Sequence, residues 1–153
     1  MQPIPKTKIK TNNQLIQKWL NERQSLIVAF NHLCSLRPFT AEIDEPLQEF
    51  CQLLVDYVSR GHFEVYEFIV NTVEQCQQPK VQIPKRLLLA LMDTTVCALD
   101  FNDKYQMDRK IDHLDADLSK LGLRFAERLE WEDSLLEAYN LAKSWGFQQA
   151  KTA

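Results

Sequence analysis

Apolar residues recur along this chain at three- and four-residue intervals, the spacing of one buried helix face. The first such run holds Leu15, Trp19, Leu26, Phe30 and Leu33. It predicts a helix from about Asn12 to Ser35, with Thr11, Asn12 and Asn13 as capping residues. Arg37-Pro38 ends it, and residues 38–45 read as a loop. A second helix opens near Asp44-Glu45-Pro46, with acids in its first turn and proline at an N1-like position. Its seam of Leu47, Cys51, Leu54, Val58, Val65 and Phe68/Ile69 continues to about Gln75. Gly61 lies on that seam, so one long helix with a local irregularity there is expected.

Residues 77–84 form the next loop. A third helix is predicted over about Lys85 to Phe101, with Leu87, Leu88, Leu91, Thr95 and Leu99 inward. This segment is apolar on more than one face. Asn102-Asp103 then suggests the cap of a fourth helix. Its seam reads Ile111, Leu114, Leu118, Leu121, Phe125 and Leu129, then Leu135/Leu136 and Tyr139. It is either one very long helix or two that join near Trp131. No strand-like alternation and no internal repeat occurs. The pattern predicts an all-α fold, an antiparallel four-helix bundle with long helices. Residues 11–153 would form one helical-bundle domain behind a flexible basic tail, residues 1–10, that carries Lys6, Lys8 and Lys10.

Composition narrows the function classes. Only 3 glycines occur in 153 residues, which argues against glycine-rich phosphate loops. The net charge is −3, and without the first ten residues the chain carries 15 basic and 21 acidic groups, or −6. An acidic body disfavours direct nucleic-acid binding and suits a basic protein partner. Cys34, Cys51, Cys76 and Cys97 fall in separate apolar stretches without C-x-x-C spacing, and read as reduced thiols of a cytoplasmic protein. The start of the chain lacks the apolar core of a secretory signal, and no apolar run is long enough to span a membrane.

Catalytic patterns are missing. No glutamate precedes a histidine by three residues, and His32, His62 and His113 lack zinc-helix spacing. No metal, cofactor or enzymatic activity is therefore expected. Arg23 falls on the first helix seam, where an apolar residue belongs. A buried arginine needs an acid. Glu132 or its neighbour Asp133 is the expected partner, a structural polar pair fixing the register of the bundle.

The second helix carries the candidate binding residues. With Leu54 as the core direction and about 100° per residue, Asp56, Ser59, Phe63 and Val70 fall on the opposite face. Arg60 and Tyr66 flank them. An exposed Phe beside an acid and a hydroxyl resembles an apolar anchor with a polar rim, the anatomy of a protein-binding patch.

The string Leu54-Val55-Asp56-Tyr57-Val58-Ser59-x-Gly61-His62-Phe63-x-x-Tyr66-Glu67 resembles the Rsd/AlgQ family of sigma-factor regulators. Trp19-Leu20-x-x-Arg23, Phe50-Cys51-Gln52 and Leu118-Ser119-x-x-Gly122 through Arg128, with Glu132-Asp133 beyond, agree with it. The resemblance covers about two-thirds of the chain. The third helix and its flanking loops match poorly. The resemblance implies an anti-sigma role: a non-catalytic bundle that binds region 4 of the primary sigma factor of bacterial RNA polymerase. Asp56, Ser59 and Phe63 match the family's binding face. Two alternatives stay open, a four-helix module that regulates another cytoplasmic signalling protein, and a second protein partner beside sigma.

Overall fold

The computed structural model describes residues 14–107 and 110–152, with side chains described as far as Trp145. The expected basic tail and the Asn12 cap lie outside the described residues. Five α-helical segments follow in order: α1 (Gln14–Ser35), α2 (Asp44–Arg60), α3 (Tyr66–Cys76), α4 (Lys85–Met107) and α5 (Leu114–Thr152). A π-helical turn, Gly61–Val65, fuses α2 and α3 into one rod. No strand occurs among the described residues.

The four rods run up and down in turn. Trp19 and Phe30 of α1 meet Tyr57 and Phe50 of α2, which sets those two rods antiparallel. Thr95 and Lys104 of α4 bond to Arg128 and Asp117 of α5, so that pair is antiparallel too. The core is apolar along most of its length, from Leu33, Phe50 and Leu118 at one end to Ile69 and Leu135 towards the other. Close approach of α1 to α5 depends on Gly122, where an added Cβ would lie 2.9 Å from the Phe30 ring.

Several boundaries differ from the expected ones. The loop after α1 contains a 3₁₀ turn, Ala41–Ile43, with the Thr40 side chain accepting from the Glu42 amide, and Ile43 seals it into the core. Asn102-Asp103 is not a cap. α4 runs past it to Met107, because Phe101 and Tyr105 continue its buried face one turn further. The last rod begins with a 3₁₀ turn at Ile111–His113, then runs unbroken through Trp131 as a single 39-residue helix. Burial along it follows Leu114, Leu118, Leu121, Arg128, Glu132, Leu135, Tyr139 and Ala142. Phe125 and Leu129, expected in that seam, sit half-buried at its side.

The irregularity at Gly61 is the π turn. A π turn inserts one residue into the helical count, and is common at functional sites. The shift rotates everything after it by roughly 100° relative to an unbroken α-helix. Tyr66, expected on the flank of the outward stripe, is carried into the core at 5% exposure. Val70 is carried to the side of the rod and is half-buried.

Candidate functional site

The middle of the bundle holds a charged layer. Arg128 and Glu132, one helical turn apart on α5, are 1% and 0% exposed. The Arg128 Nε donates to Glu132 Oε2 at 3.0 Å. Its Nη1 donates to Thr95 Oγ1 at 2.7 Å and to Thr94 Oγ1 at 3.2 Å, and its Nη2 reaches the Val58 carbonyl at 3.5 Å. The guanidinium also sits over the rings of Tyr57 and Tyr66, 5.6 and 5.4 Å from their centroids. Both tyrosine hydroxyls donate to Glu132, that of Tyr66 at 2.5 Å. Buried charges survive only when paired and hydrogen-bonded, and here each has several partners.

Burial lifts the Glu132 carboxyl above its usual range, while Arg128 and the two tyrosines pull the other way. Burial and the facing carboxylate push both tyrosine hydroxyls well above their ordinary value, so they remain protonated donors. Gly61 touches this layer. A Cβ there would lie 3.0 Å from Arg128 Nη2 and 3.2 Å from Trp19 Nε1. The glycine at the start of the π turn is thus explained by the guanidinium packed against it.

Arg23 does pair across the bundle, but with Asp133 rather than Glu132. Its Nη1 donates to Asp133 Oδ1 at 2.8 Å and its Nη2 to the Leu129 carbonyl at 3.3 Å. The reason is depth: Arg23 lies at the edge of the α1–α5 seam, and Glu132 is turned inward to Arg128. Burial would lower the Arg23 pKa, but the bond to Asp133 and the charges of Tyr57, Glu132 and Asp133 together outweigh it, and the net shift is upward. Arg128 was missed from sequence because Phe125 and Leu129 continue an apolar stripe beside it. Its spacing from Leu121 and Leu135, seven residues each way, was the available signal.

Above this layer lies the candidate surface. Phe63 projects from the π turn at 71% exposure, with the His62 ring edge-on to it at 5.0 Å. Asp56 is exposed two turns earlier, its Oδ1 accepting from Gln52 Nε2 at 3.0 Å. Ser59 lies between them, half-buried. These three residues border one groove of about 500 Å³ with Leu53, Arg60, Glu64 and, from α1, Glu22. Arg60 ties the two sides together: its Nε donates to Glu22 Oε1 and its Nη1 to Glu64 Oε2, each at 2.8 Å. Two acids therefore clamp one arginine, and with Asp56 the groove lining carries net negative charge. The second oxygen of Glu22 is buried and accepts no hydrogen bond among the described residues. Glu22 was not foreseen, because it comes from another helix and periodicity within one element cannot place it.

Tyr66 and Val70 do not join this surface. Tyr66 belongs to the charged layer, and Val70 borders a separate groove of about 610 Å³ with Val73, Pro79, Ile83 and Leu88. Among the described residues, no group of three or more histidine, cysteine or acidic side chains could hold a metal ion, and no helix is long and apolar enough to cross a membrane.

The fold and its interior define an all-α bundle of four rods closed around a buried ion pair, with an acid-rimmed apolar groove over a π turn. A family model described as "Regulator of RNA polymerase sigma(70) subunit, Rsd/AlgQ" matches residues 4–140. A protein of Yersinia enterocolitica named "Regulator of sigma D" is 31% identical over 142 residues, covering 88% of this chain and 84% of its own. A Pectobacterium atrosepticum protein of the same name is 33% identical over 135 residues, covering 82% of this chain and 88% of its own. The chain belongs to the Rsd/AlgQ family.

Proposed function

We propose that this chain regulates transcription by binding region 4 of the primary sigma factor through the groove around Phe63. The observation that carries this reading is an aromatic ring, 71% exposed, set among Glu22, Asp56 and Glu64 in a chain of this family. Region 4 is a basic helix-turn-helix module, which the acidic body attracts over distance. Phe63 buries against an apolar surface of sigma, worth about 1.5–3 kcal/mol for full burial. Asp56 takes an arginine of sigma that otherwise serves promoter DNA or core polymerase. Ser59 completes the polar rim. The complex acts by occupancy: a covered region 4 reaches neither the −35 promoter element nor core polymerase. No chemical step, cofactor or direct nucleic-acid contact enters. Tyr66 is left out of the contact by its burial, and Val70 by its separate groove.

The test is reconstituted transcription from a promoter that depends on its −35 element, with the host's core polymerase and primary sigma factor. The wild-type chain should inhibit, and Phe63→Ala should need at least about tenfold more protein for equal inhibition. Inhibition unchanged in both Phe63→Ala and Asp56→Ala would move the site elsewhere. No inhibition by the wild-type chain would refute the proposed function.

A further inference from the structure

α4 is apolar on its outer face as well as its inner one. Leu91, Thr94, Thr95, Ala98 and Phe101 fill the bundle, yet Leu89, Met92 and Val96 on the other side are 54%, 47% and 52% exposed. Helices that are apolar all round are covered on all sides. The exposed residues are also ordered. Leu89, Met92, Val96 and the half-buried Leu99 follow at alternating three- and four-residue steps, the a/d spacing of a two-helix seam. None of the four borders the Phe63 groove, so this surface is independent of the proposed sigma contact.

The charges at the two ends of the seam indicate what covers it. One heptad step before Met92 is Lys85, beside Arg86, and one step after Val96 is Asp103, near Asp100. All four are exposed, and none forms an ion pair or side-chain hydrogen bond among the described residues. We propose that α4 is a self-association surface on which a second copy of this chain docks with its own α4 antiparallel, about a two-fold axis midway between Met92 and Val96 on the outer face. That register sets Leu89 against the partner's Leu99 and Met92 against the partner's Val96. It also sets Lys85 against the partner's Asp103 and Arg86 near the partner's Asp100. A parallel pairing would instead oppose lysine to lysine and aspartate to aspartate. A two-fold interface must be complementary to itself, and this stripe is. One residue works against it, since Asp93 lies near its own copy at the axis. The seam from Lys85 to Asp103 is about 27 Å long at 1.5 Å per residue. One helix pair of that length falls at the low end of specific interfaces, so the dimer should be weak and concentration-dependent.

Sedimentation equilibrium of the full chain from about 5 to 500 µM tests this. The mass should climb from 17.9 kDa towards twice that value. Val96→Glu, at an exposed position, should keep its helical circular dichroism and stay monomeric throughout. Asp93→Asn should dimerise more tightly than wild type. Two charge-swapped proteins test the register: Lys85→Glu with Arg86→Glu, and Asp100→Lys with Asp103→Lys. Each alone should self-associate at least about tenfold more weakly than wild type, and an equimolar mixture should recover the association. A wild-type chain that stays at monomer mass across the range overturns the proposal. So does a dimer untouched by Val96→Glu, and a mixture that fails to associate overturns the antiparallel register.

Discussion

The charged layer predicts a large, measurable coupling between Arg128 and Glu132. Arg128→Met removes the cation and leaves a carboxylate that is 0% exposed, held by two tyrosine hydroxyls alone. Breaking a buried pair from one side costs about 3–5 kcal/mol. Glu132→Gln removes the charge and leaves one amide oxygen where Arg128 Nε and two hydroxyls converge, so one tyrosine hydroxyl must turn from donor to acceptor or lose its bond. The Arg128 guanidinium keeps Thr94, Thr95 and the Val58 carbonyl, none of them charged. That variant should lose about 3 kcal/mol. The double variant has no buried charge left to strand. It should lose much less than the sum of the two, with a coupling of at least about 2 kcal/mol. The assay is urea unfolding followed by far-ultraviolet circular dichroism for all four proteins, with equal slopes required before midpoints are compared. Losses that add to within about 0.5 kcal/mol would mean that the two residues do not act as one unit.

Other substitutions probe the same geometry. Gly61→Ala should destabilise by about 1 kcal/mol: overpacking against Arg128 and Trp19 exceeds the gain in helix propensity, and a stabilised variant would show that the layer yields. Phe63→Ala should leave the unfolding free energy within about 0.5 kcal/mol of wild type, because the ring is exposed, and a larger loss would mean that it packs into the fold. Asp117 offers a pH test. Burial would raise its carboxyl, but bonds from Lys104 and Tyr105 outweigh that and hold its pKa below the ordinary value. A lowered folded pKa gives stability that is present above the unfolded value and lost as pH falls through the folded one. Asp117→Asn should thus cost about 0.5–1 kcal/mol at neutral pH, with the gap to wild type closing in acid below about pH 4. A gap that persists at pH 2 would assign the loss to packing.

The rods were legible in the sequence wherever their inward residues were apolar. Leu47, Cys51, Leu54 and Val58 placed α2, and Trp19, Leu26 and Leu33 placed α1, because burial repeats with the helical period. The interior charge was half legible. Arg23 stood out among apolar neighbours and did find an acid, but the deeper Arg128 hid behind Phe125 and Leu129, which preserve an apolar stripe one position away. The end of α4 was misplaced because Asn102 and Asp103, good capping types, lie on its outer side, while Tyr105 carries the buried face onward. The outward stripe of α2 was legible up to Phe63 and no further. A 100° step holds only while the helix stays α, and the π turn swings Tyr66 inward and Val70 to another groove. The presence of an irregularity was foreseeable from Gly61; its consequence for register was not, since that depends on a guanidinium arriving from α5.

Calorimetric titration of the full chain into the isolated C-terminal region 4 of the host's primary sigma factor, with Phe63→Ala in parallel, addresses the sigma-binding account most directly. One region 4 should bind per chain, with affinity reduced at least about tenfold in the variant. Heat no greater than dilution for the wild-type chain, or equal affinity in both proteins, would contradict it.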